Sequence, residues 1–240
     1  MNSNVSIRPA VLSERRFFLW MSLAIAATVF AGFGRIEAAG FVRWTELPFQ
    51  VVAHGLVFAA WIMLFVVQCA LVDRGSVALH RRLGVFGAAL AAAMVPLALV
   101  TAVMCIRRGA VPPVFRPDVF LALNLLNVVA FAGLLAAGLA LRRRPDWHRR
   151  LMLCGNVIIM SPAVPRLLPL SALGVPVPLI LTCAMLAYVG AGMAFDLANR
   201  RRIHRAWWVG AGVIVGMMLA LGPLAYSAPL RALVDRLSPP

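Results

Sequence analysis

Three histidines stand next to an arginine where apolar stretches of this chain begin. The pairs are His80-Arg81, His148-Arg149 and His204-Arg205, and each follows a short arginine-containing connector. Neutral imidazole nitrogen is a common protein ligand for haem iron and for metal ions. Three imidazoles at one depth therefore allow two interpretations: they ligate a haem or a metal ion, or they anchor the chain at a membrane interface.

A second set of polar residues lies inside the apolar stretches, toward their other ends. At about 1.5 Å per helical residue, His54 lies roughly 7 Å and Asn124 roughly 9 Å from those ends, and Arg166 falls at a similar depth. Polar side chains at membrane depth are costly and often mark a site. We predict that this layer binds a small ligand through His54, Asn124, Arg166, Thr101 and Thr182. The alternative is that each polar residue bonds a neighbouring helix and that Arg166 extends to the head groups.

Five prolines interrupt the chain around Arg166: Pro162, Pro165, Pro169, Pro176 and Pro178. Broken helices at membrane depth are tolerated where they are buried in protein or line a cavity. A guanidinium there could pair with an anionic group of a ligand. The prolines therefore make the surroundings of Arg166 the strongest candidate site in the sequence.

Seven apolar stretches, each long enough to cross a bilayer, must position these residues. The chain of 240 residues is 62% hydrophobic and only 13% charged, which leaves little for a soluble domain. We predict an all-α transmembrane bundle that forms one domain over residues 1–240. The predicted spans are Phe17 to Gly34, Phe49 to Val72, Leu83 to Ile106, Asp118 to Leu141, Arg150 to Leu170, Val175 to Leu197 and Trp207 to Tyr226.

The arginines predict the orientation of this bundle. Of the 23 basic residues, 15 fall on the side of the N-terminal segment and 8 on the opposite side. By the positive-inside rule, the N-terminus is cytoplasmic and the C-terminus periplasmic in a bacterial inner membrane. The cytoplasmic arginines are expected to contact anionic lipid head groups rather than nucleic acid. The Arg15-Arg16 pair superficially resembles an export signal, but the long apolar stretch and six further spans favour a retained helix.

The three His-Arg pairs also indicate a short internal repeat. The simplest arrangement is one leading helix followed by three helical hairpins, packed through small residues such as Gly190, Gly192, Gly210 and Gly212. Trp207 is expected in the interfacial aromatic belt. A second copy of the chain or another membrane protein is the expected protein partner.

No catalytic signature is present. The chain has no Gly-x-Ser-x-Gly, no His-Glu-x-x-His and no phosphate-binding glycine loop ending in lysine. Its four cysteines lack zinc-site spacing. Enzymatic activity is therefore not expected.

Three segments carry a resemblance to known proteins. The first runs from His54 through Gln68 to His80-Arg81-Arg82-Leu83-Gly84, the second is Trp147-His148-Arg149-Arg150-Leu151-Met152, and the third is Pro165-Arg166-Leu167. Together they resemble families of bacterial multi-pass membrane proteins of unknown function. These families are distantly similar to cytochrome b561-like bundles. That similarity implies a haem held by His54, His80, His148 or His204. His54 has no second histidine at its own depth, so a haem there needs a methionine ligand from Met94, Met104 or Met160.

The sequence thus favours a membrane protein that binds a small ligand. A haem or redox protein and a small-molecule transporter are the alternatives, and an absorption spectrum separates the haem protein from the other two.

Overall fold

A computed structural model describes residues 9–40, 42, 44–168 and 176–239, with side chains described from residue 14 onward. In these ranges the chain forms helices and no strand. The α-helices are α1 (Pro9–Ala38), α2 (Phe49–Asp73), α3 (Val77–Arg107), α4 (Pro117–Ala140), α5 (Pro145–Met160), α6 (Val164–Leu167), α7 (Val177–Arg200), α8 (Arg205–Ala225) and α9 (Ala228–Leu237). The prediction of an all-α fold is confirmed.

Six of these helices are long and apolar enough to cross a bilayer: α1 from Glu14 onward, α2, α3, α4, α7 and α8. They correspond to six of the seven predicted spans. Because such helices satisfy their own backbone hydrogen bonds, they suit a lipid environment. The chain is therefore a multi-pass membrane protein by the length and composition of its helices.

The fifth predicted span, Arg150 to Leu170, does not form one continuous helix. Helix α5 begins earlier, with Pro145 in its first turn, and ends at Met160. A 3-10 turn, Ser161–Ala163, and the four-residue α6 follow. Proline lacks the N–H that continues a helix, so Pro162 and Pro165 account for the break. Pro169 and Leu170 lie outside the described residues, and seven spans are not confirmed.

Other helix boundaries differ from the prediction in ways that matter for the histidines. Helix α3 begins at Val77 rather than Leu83, which places His80 in its first turns instead of a connector. His148 likewise lies in the first turn of α5, and His204 is the residue that precedes α8. Helix α9 was not predicted. It is a short amphipathic helix that buries Leu230 and Val234.

Contacts between helices define the two ends of the bundle. At one end, which we call the arginine-rich end, Arg150 at the start of α5 contacts Glu14 of α1 and Asp196 of α7. At the opposite end, α9 packs on α3, α4 and α8, and Arg231 of α9 lies near Asp118 at the start of α4. Helix α5 is central, since most of its residues from Arg150 to Met160 are buried.

Two glycines allow close contact around α8. A Cβ on Gly192 of α7 would overlap the ring of Trp207, and one on Gly210 of α8 would overlap the sulfur of Cys154 in α5. Gly190 and Gly212, which were also expected to pack, face open space. Trp207 is fully buried, so its predicted place in the interfacial belt is wrong.

Candidate functional site

A fully buried arginine lies at the centre of the arginine-rich end. The Arg150 guanidinium donates through Nε to Asp196 Oδ2 at 3.0 Å, and through Nη2 to Asp196 Oδ1 and to Glu14 Oε1. Its Nη1 donates to the backbone carbonyl of Asp146 at 3.0 Å. Because a buried charge is tolerated only when paired and hydrogen-bonded, these contacts explain how α5 carries a guanidinium into the bundle.

Asp196 is the main partner of this arginine, and it also joins α7 to α8. Its Oδ2 accepts from the Trp207 indole N–H at 2.9 Å and from the His204 backbone N–H at 3.1 Å. Asp196 is fully buried, like Trp207 and Arg150. One carboxylate therefore connects three segments of the chain through charge-assisted hydrogen bonds, which are stronger than neutral ones.

More exposed charged side chains surround Arg150 and Asp196 and bring the net charge of the cluster close to zero. Arg200 contacts Glu14 Oε2 at 2.6 Å and Asp146 Oδ1 at 3.2 Å, and Arg149 contacts the same two carboxylates. Burial alone would raise the pKa of Asp146, but the charges of Arg149, Arg200 and Arg150 hold that pKa below its usual value. The cluster thus contains three carboxylates and three guanidiniums and is close to neutral.

His204 serves this cluster as a helix cap. Its Nδ1 accepts from the Ala206 N–H at 3.2 Å, and its ring lies edge-on to Trp147 with centroids 5.2 Å apart. Burial and the nearby Arg150 charge lower the pKa of His204, so the ring is neutral near pH 7 and can accept this bond. Helix capping accounts for this histidine without a metal.

The other two histidines of this layer form a pair. The rings of His80 and His148 are nearly perpendicular, with centroids 6.2 Å apart. His148 Nδ1 lies 2.8 Å from the carbonyl of Gly138. When the Gln68 side-chain amide is oriented with its nitrogen toward His80, this nitrogen donates to His80 Nδ1 at 2.5 Å. The amide oxygen of Gln68 then accepts from the Gly84 backbone N–H. These partners specify the tautomers of both rings.

Haem ligation by His80 or His204 does not fit these partners. When Gln68 donates to Nδ1, neutral His80 carries its proton on Nε2 and has no free lone pair for iron. His204 Nδ1 is likewise occupied, because it caps α8. A haem at His148, whose Nδ1 lies at the Gly138 carbonyl, or at His54, which stacks on Phe58 with centroids 4.1 Å apart, stays a prediction. Across the described residues, no group of three or more His, Cys, Asp or Glu side chains is arranged to hold a metal ion.

An aromatic and amide contact marks the middle of the bundle. The Trp61 indole N–H of α2 donates to Asn156 Oδ1 of α5 at 3.0 Å, and Asn156 donates in turn to the Met152 carbonyl. The Trp61 ring meets Phe131 of α4 edge-on, with centroids 5.6 Å apart. Helices α2, α4 and α5 therefore meet at this level.

The predicted ligand layer lies beyond this level, in the half of the bundle toward the opposite end. Three of its members bond the carbonyl four residues earlier in their own helix: Asn124 to Phe120, Thr101 to Leu97 and Thr182 to Pro178. Within the described ranges, none of the five predicted residues hydrogen-bonds to another. Their shared site stays a prediction.

Arg166 of this predicted layer faces α1. Its guanidinium lies 4.5 Å from the centroid of the Phe33 ring and bonds the Pro162 carbonyl. Its own carbonyl accepts from Arg35 at 2.9 Å. Its Nε is buried with no partner, so one donor of this guanidinium stays available.

Three other polar atoms of this half are buried without a hydrogen-bond partner: His54 Nδ1, Asn127 Oδ1 and Ser161 Oγ. His54 lies two turns beyond Trp61 on the same face of α2, and Asn127 lies one turn beyond Phe131 on the same face of α4. Ser161 begins the break that follows α5. At about 1.5 Å per residue, all three lie roughly 6–10 Å from the Trp61 level.

Comparison with known proteins assigns no relative. No protein-family model, curated protein or solved structure matches this chain. Its function must therefore be inferred from the geometry of its own residues.

Proposed function

We propose that the chain is a multi-pass protein of a bacterial inner membrane that binds a small polar ligand in the half of the bundle opposite the arginine-rich end. The observation that carries this proposal is the set of unpartnered buried atoms on His54, Asn127 and Ser161. Leaving such an atom unpaired costs about 1–3 kcal/mol, which a bound molecule recovers by bonding to it.

The chemistry of these atoms defines the class of ligand. Asn127 Oδ1 accepts only, so the ligand needs an N–H or O–H donor. The Ser161 hydroxyl and the free Arg166 Nε–H donate, so it also needs an acceptor such as a carbonyl or carboxylate oxygen. A small molecule with both kinds of group fits these requirements.

The proposal predicts opposite effects for two buried serines. Ser161→Ala removes an unpartnered hydroxyl, so we expect the ligand-free protein to gain about 1 kcal/mol, or roughly 2–4 °C in unfolding midpoint. Ser22 is equally buried, but its hydroxyl donates to the Leu19 carbonyl at 2.7 Å, so Ser22→Ala should lower the midpoint or leave it unchanged. The measurement is thermal unfolding of the purified protein in detergent.

A matched asparagine pair gives an independent check. Asn127→Leu should behave like Ser161→Ala, while Asn156→Leu should destabilise because the Trp61 indole loses its acceptor. Small molecules extracted from the wild-type protein should be depleted from the Ser161 and Asn127 variants. Equal losses of stability in all four variants would mean that the chain already satisfies these atoms, and the ligand site would be abandoned.

The proposed topology has seven crossings, with α5, the 3-10 turn and α6 together forming the fifth. These segments run from Pro145 to Leu167, about 35 Å of helix, which matches the thickness of a bilayer. Support comes from the ends of this segment: α5 begins beside Glu14 at the arginine-rich end, and α7 returns to that end at Asp196.

Reporter fusions test this topology. A reporter that is active only in the periplasm should be active when fused after Pro240 and silent when inserted at Arg143. Silence at both positions would indicate six crossings with both ends in the cytoplasm. Activity only at Arg143 would reverse the orientation.

Transport is the second candidate function, and the break at Ser161 favours it. Interrupted helices with free polar groups are common in the binding sites of secondary transporters. The distinction is experimental: a transporter moves the extracted ligand across the membrane of a proteoliposome, whereas a binding protein only retains it.

A further inference from the structure

A cavity of about 430 Å³ opens at the opposite end of the bundle, between the start of α4 and the amphipathic helix α9. The ligand site proposed above does not use it. Its polar lining is formed by Arg116, Asp118, Arg231, Asp235 and Ser238.

Two guanidiniums share one carboxylate at the wall of this cavity. Arg116 donates through Nε and Nη2 to the two oxygens of Asp118, at 3.2 and 3.0 Å. Arg231 Nε lies 3.9 Å from the same carboxylate and, within the described ranges, makes no shorter polar contact. The two guanidiniums thus exceed the charge of Asp118 by one, and Asp235 at the rim brings the cavity close to neutral. Most N–H donors of Arg231 stay free.

The position of both arginines is set by an aromatic ring. The guanidinium carbons of Arg116 and Arg231 lie 5.8 and 5.4 Å from the centroid of the Tyr226 ring. The Asp118 side chain is only 7% exposed, while those of Arg116 and Arg231 are 65% and 51% exposed. The arginines are therefore held from the protein side and accessible from the cavity.

The cavity lies at the level expected for lipid head groups. Helix α9 follows directly after the crossing helix α8, packs Leu230 and Val234 on the bundle and exposes Leu233. Short amphipathic helices of this kind lie in the membrane interface, and tyrosines such as Tyr226 are enriched there.

We propose that this cavity binds the head group of an amino-phospholipid, with its phosphate between Arg116 and Arg231 and its ammonium on Asp235. Guanidinium binds phosphate oxygens through paired hydrogen bonds. Asp235 is exposed at the rim and forms no ion pair in the described ranges, so its carboxylate is available for the ammonium. The phosphate selects phospholipids in general, and Asp235 selects those with an amine.

Native mass spectrometry of the full chain in detergent tests this proposal. The probes are phosphatidylethanolamine, phosphatidylglycerol and inorganic phosphate, each titrated separately and in competition. The wild-type protein should bind phosphatidylethanolamine in preference to phosphatidylglycerol. Arg231→Gln should weaken this binding about tenfold, the effect of losing one charge-assisted contact.

Arg236 provides the matched control. It lies on the same helix, is exposed and does not line the cavity, so Arg236→Gln should leave lipid binding unchanged. Asp235→Asn should remove the preference for phosphatidylethanolamine while retaining binding of phosphatidylglycerol. Arg116→Gln is a second test of the phosphate contact if Arg231→Gln lowers the yield of folded protein.

Two results would overturn the proposal. Equal affinities of the Arg231→Gln and Arg236→Gln variants would show that the cavity arginines do not hold the lipid. Displacement of the lipid by an equal concentration of inorganic phosphate would reassign the site to free phosphate. Neither result bears on the unpartnered atoms near Ser161, so the two proposals fail independently.

Discussion

Replacing Asp196 by leucine is expected to destabilise the folded protein by about 3–5 kcal/mol, because it leaves the buried Arg150 without its main counter-charge. Arg150→Met should have a similar effect, since Asp196 then keeps only neutral N–H donors. The measurement is the unfolding midpoint of each purified variant in detergent. Arg202→Met, at an exposed position, is the matched control and should change the midpoint little.

The double variant Arg150→Met with Asp196→Leu sharpens this prediction. It removes one charge of each sign, and the remaining Glu14, Asp146, Arg149 and Arg200 still balance. Replacing a whole buried pair by apolar residues of similar volume is often neutral, so the double variant should be more stable than either single variant. Additive losses would contradict direct coupling of the two side chains.

Gly192→Ala is expected to destabilise the protein by about 3 kcal/mol, near the upper end of overpacking effects. The new methyl group would overlap the Trp207 ring, which is fully buried and held by its hydrogen bond to Asp196. The ring cannot turn away without losing that bond, so α7 and α8 must move apart.

Gly190→Ala is the control for this substitution. Gly190 lies two residues away in the same helix and faces open space, so alanine should be neutral or add up to about 1 kcal/mol of helix stability. Comparing the unfolding midpoints of the two variants separates the effect of the Trp207 contact from the effect of helix propensity. Equal midpoints would mean that α7 and α8 are not closely packed at Gly192.

Long apolar stretches predicted the crossing helices well, because a bilayer requires a minimum helix length and internal hydrogen bonding. The ends of α2 and α4 lie within one residue of the prediction. The short helix α9 was not predicted, because its ten residues are too few to cross a bilayer. Its signal was local: Leu230 and Val234 recur at helical spacing after Pro229.

The buried charges were harder to predict than the helices. Arg150 follows Arg149 in a connector with several other arginines, and nothing in its own surroundings separates a buried arginine from an exposed one. Its partners Glu14 and Asp196 are distant in sequence, so only the packing of α1, α5 and α7 brings them together. An acidic residue near the end of each of these helices was the available clue.

The proposed ligand site shares His54 and its depth with the site predicted from the sequence, but Asn127 and Ser161 were not among the predicted residues. Asn127 lies one turn from the predicted Asn124, and a sequence does not show that Asn124 bonds its own helix while Asn127 Oδ1 has no partner. Ser161 was overlooked because serine is common in apolar helices. Its position before Pro162, where the helix ends, was the usable signal.

The distance along the chain between Arg150 and its partners has a consequence for biosynthesis. Glu14 is made long before α5, but Asp196 follows Arg150 by 46 residues, which is a delay of several seconds at about 5–20 residues per second. An isolated arginine opposes insertion by about 2.5–3.5 kcal/mol in the middle of a helix, and by less near an end, where Arg150 lies in α5. During that delay the carboxylates that can pair with Arg150 are those of Glu14 in α1 and Asp146 in α5 itself. We therefore expect α5 to reach its fully paired position only after α7 has emerged, because Asp196 is the main counter-charge of Arg150.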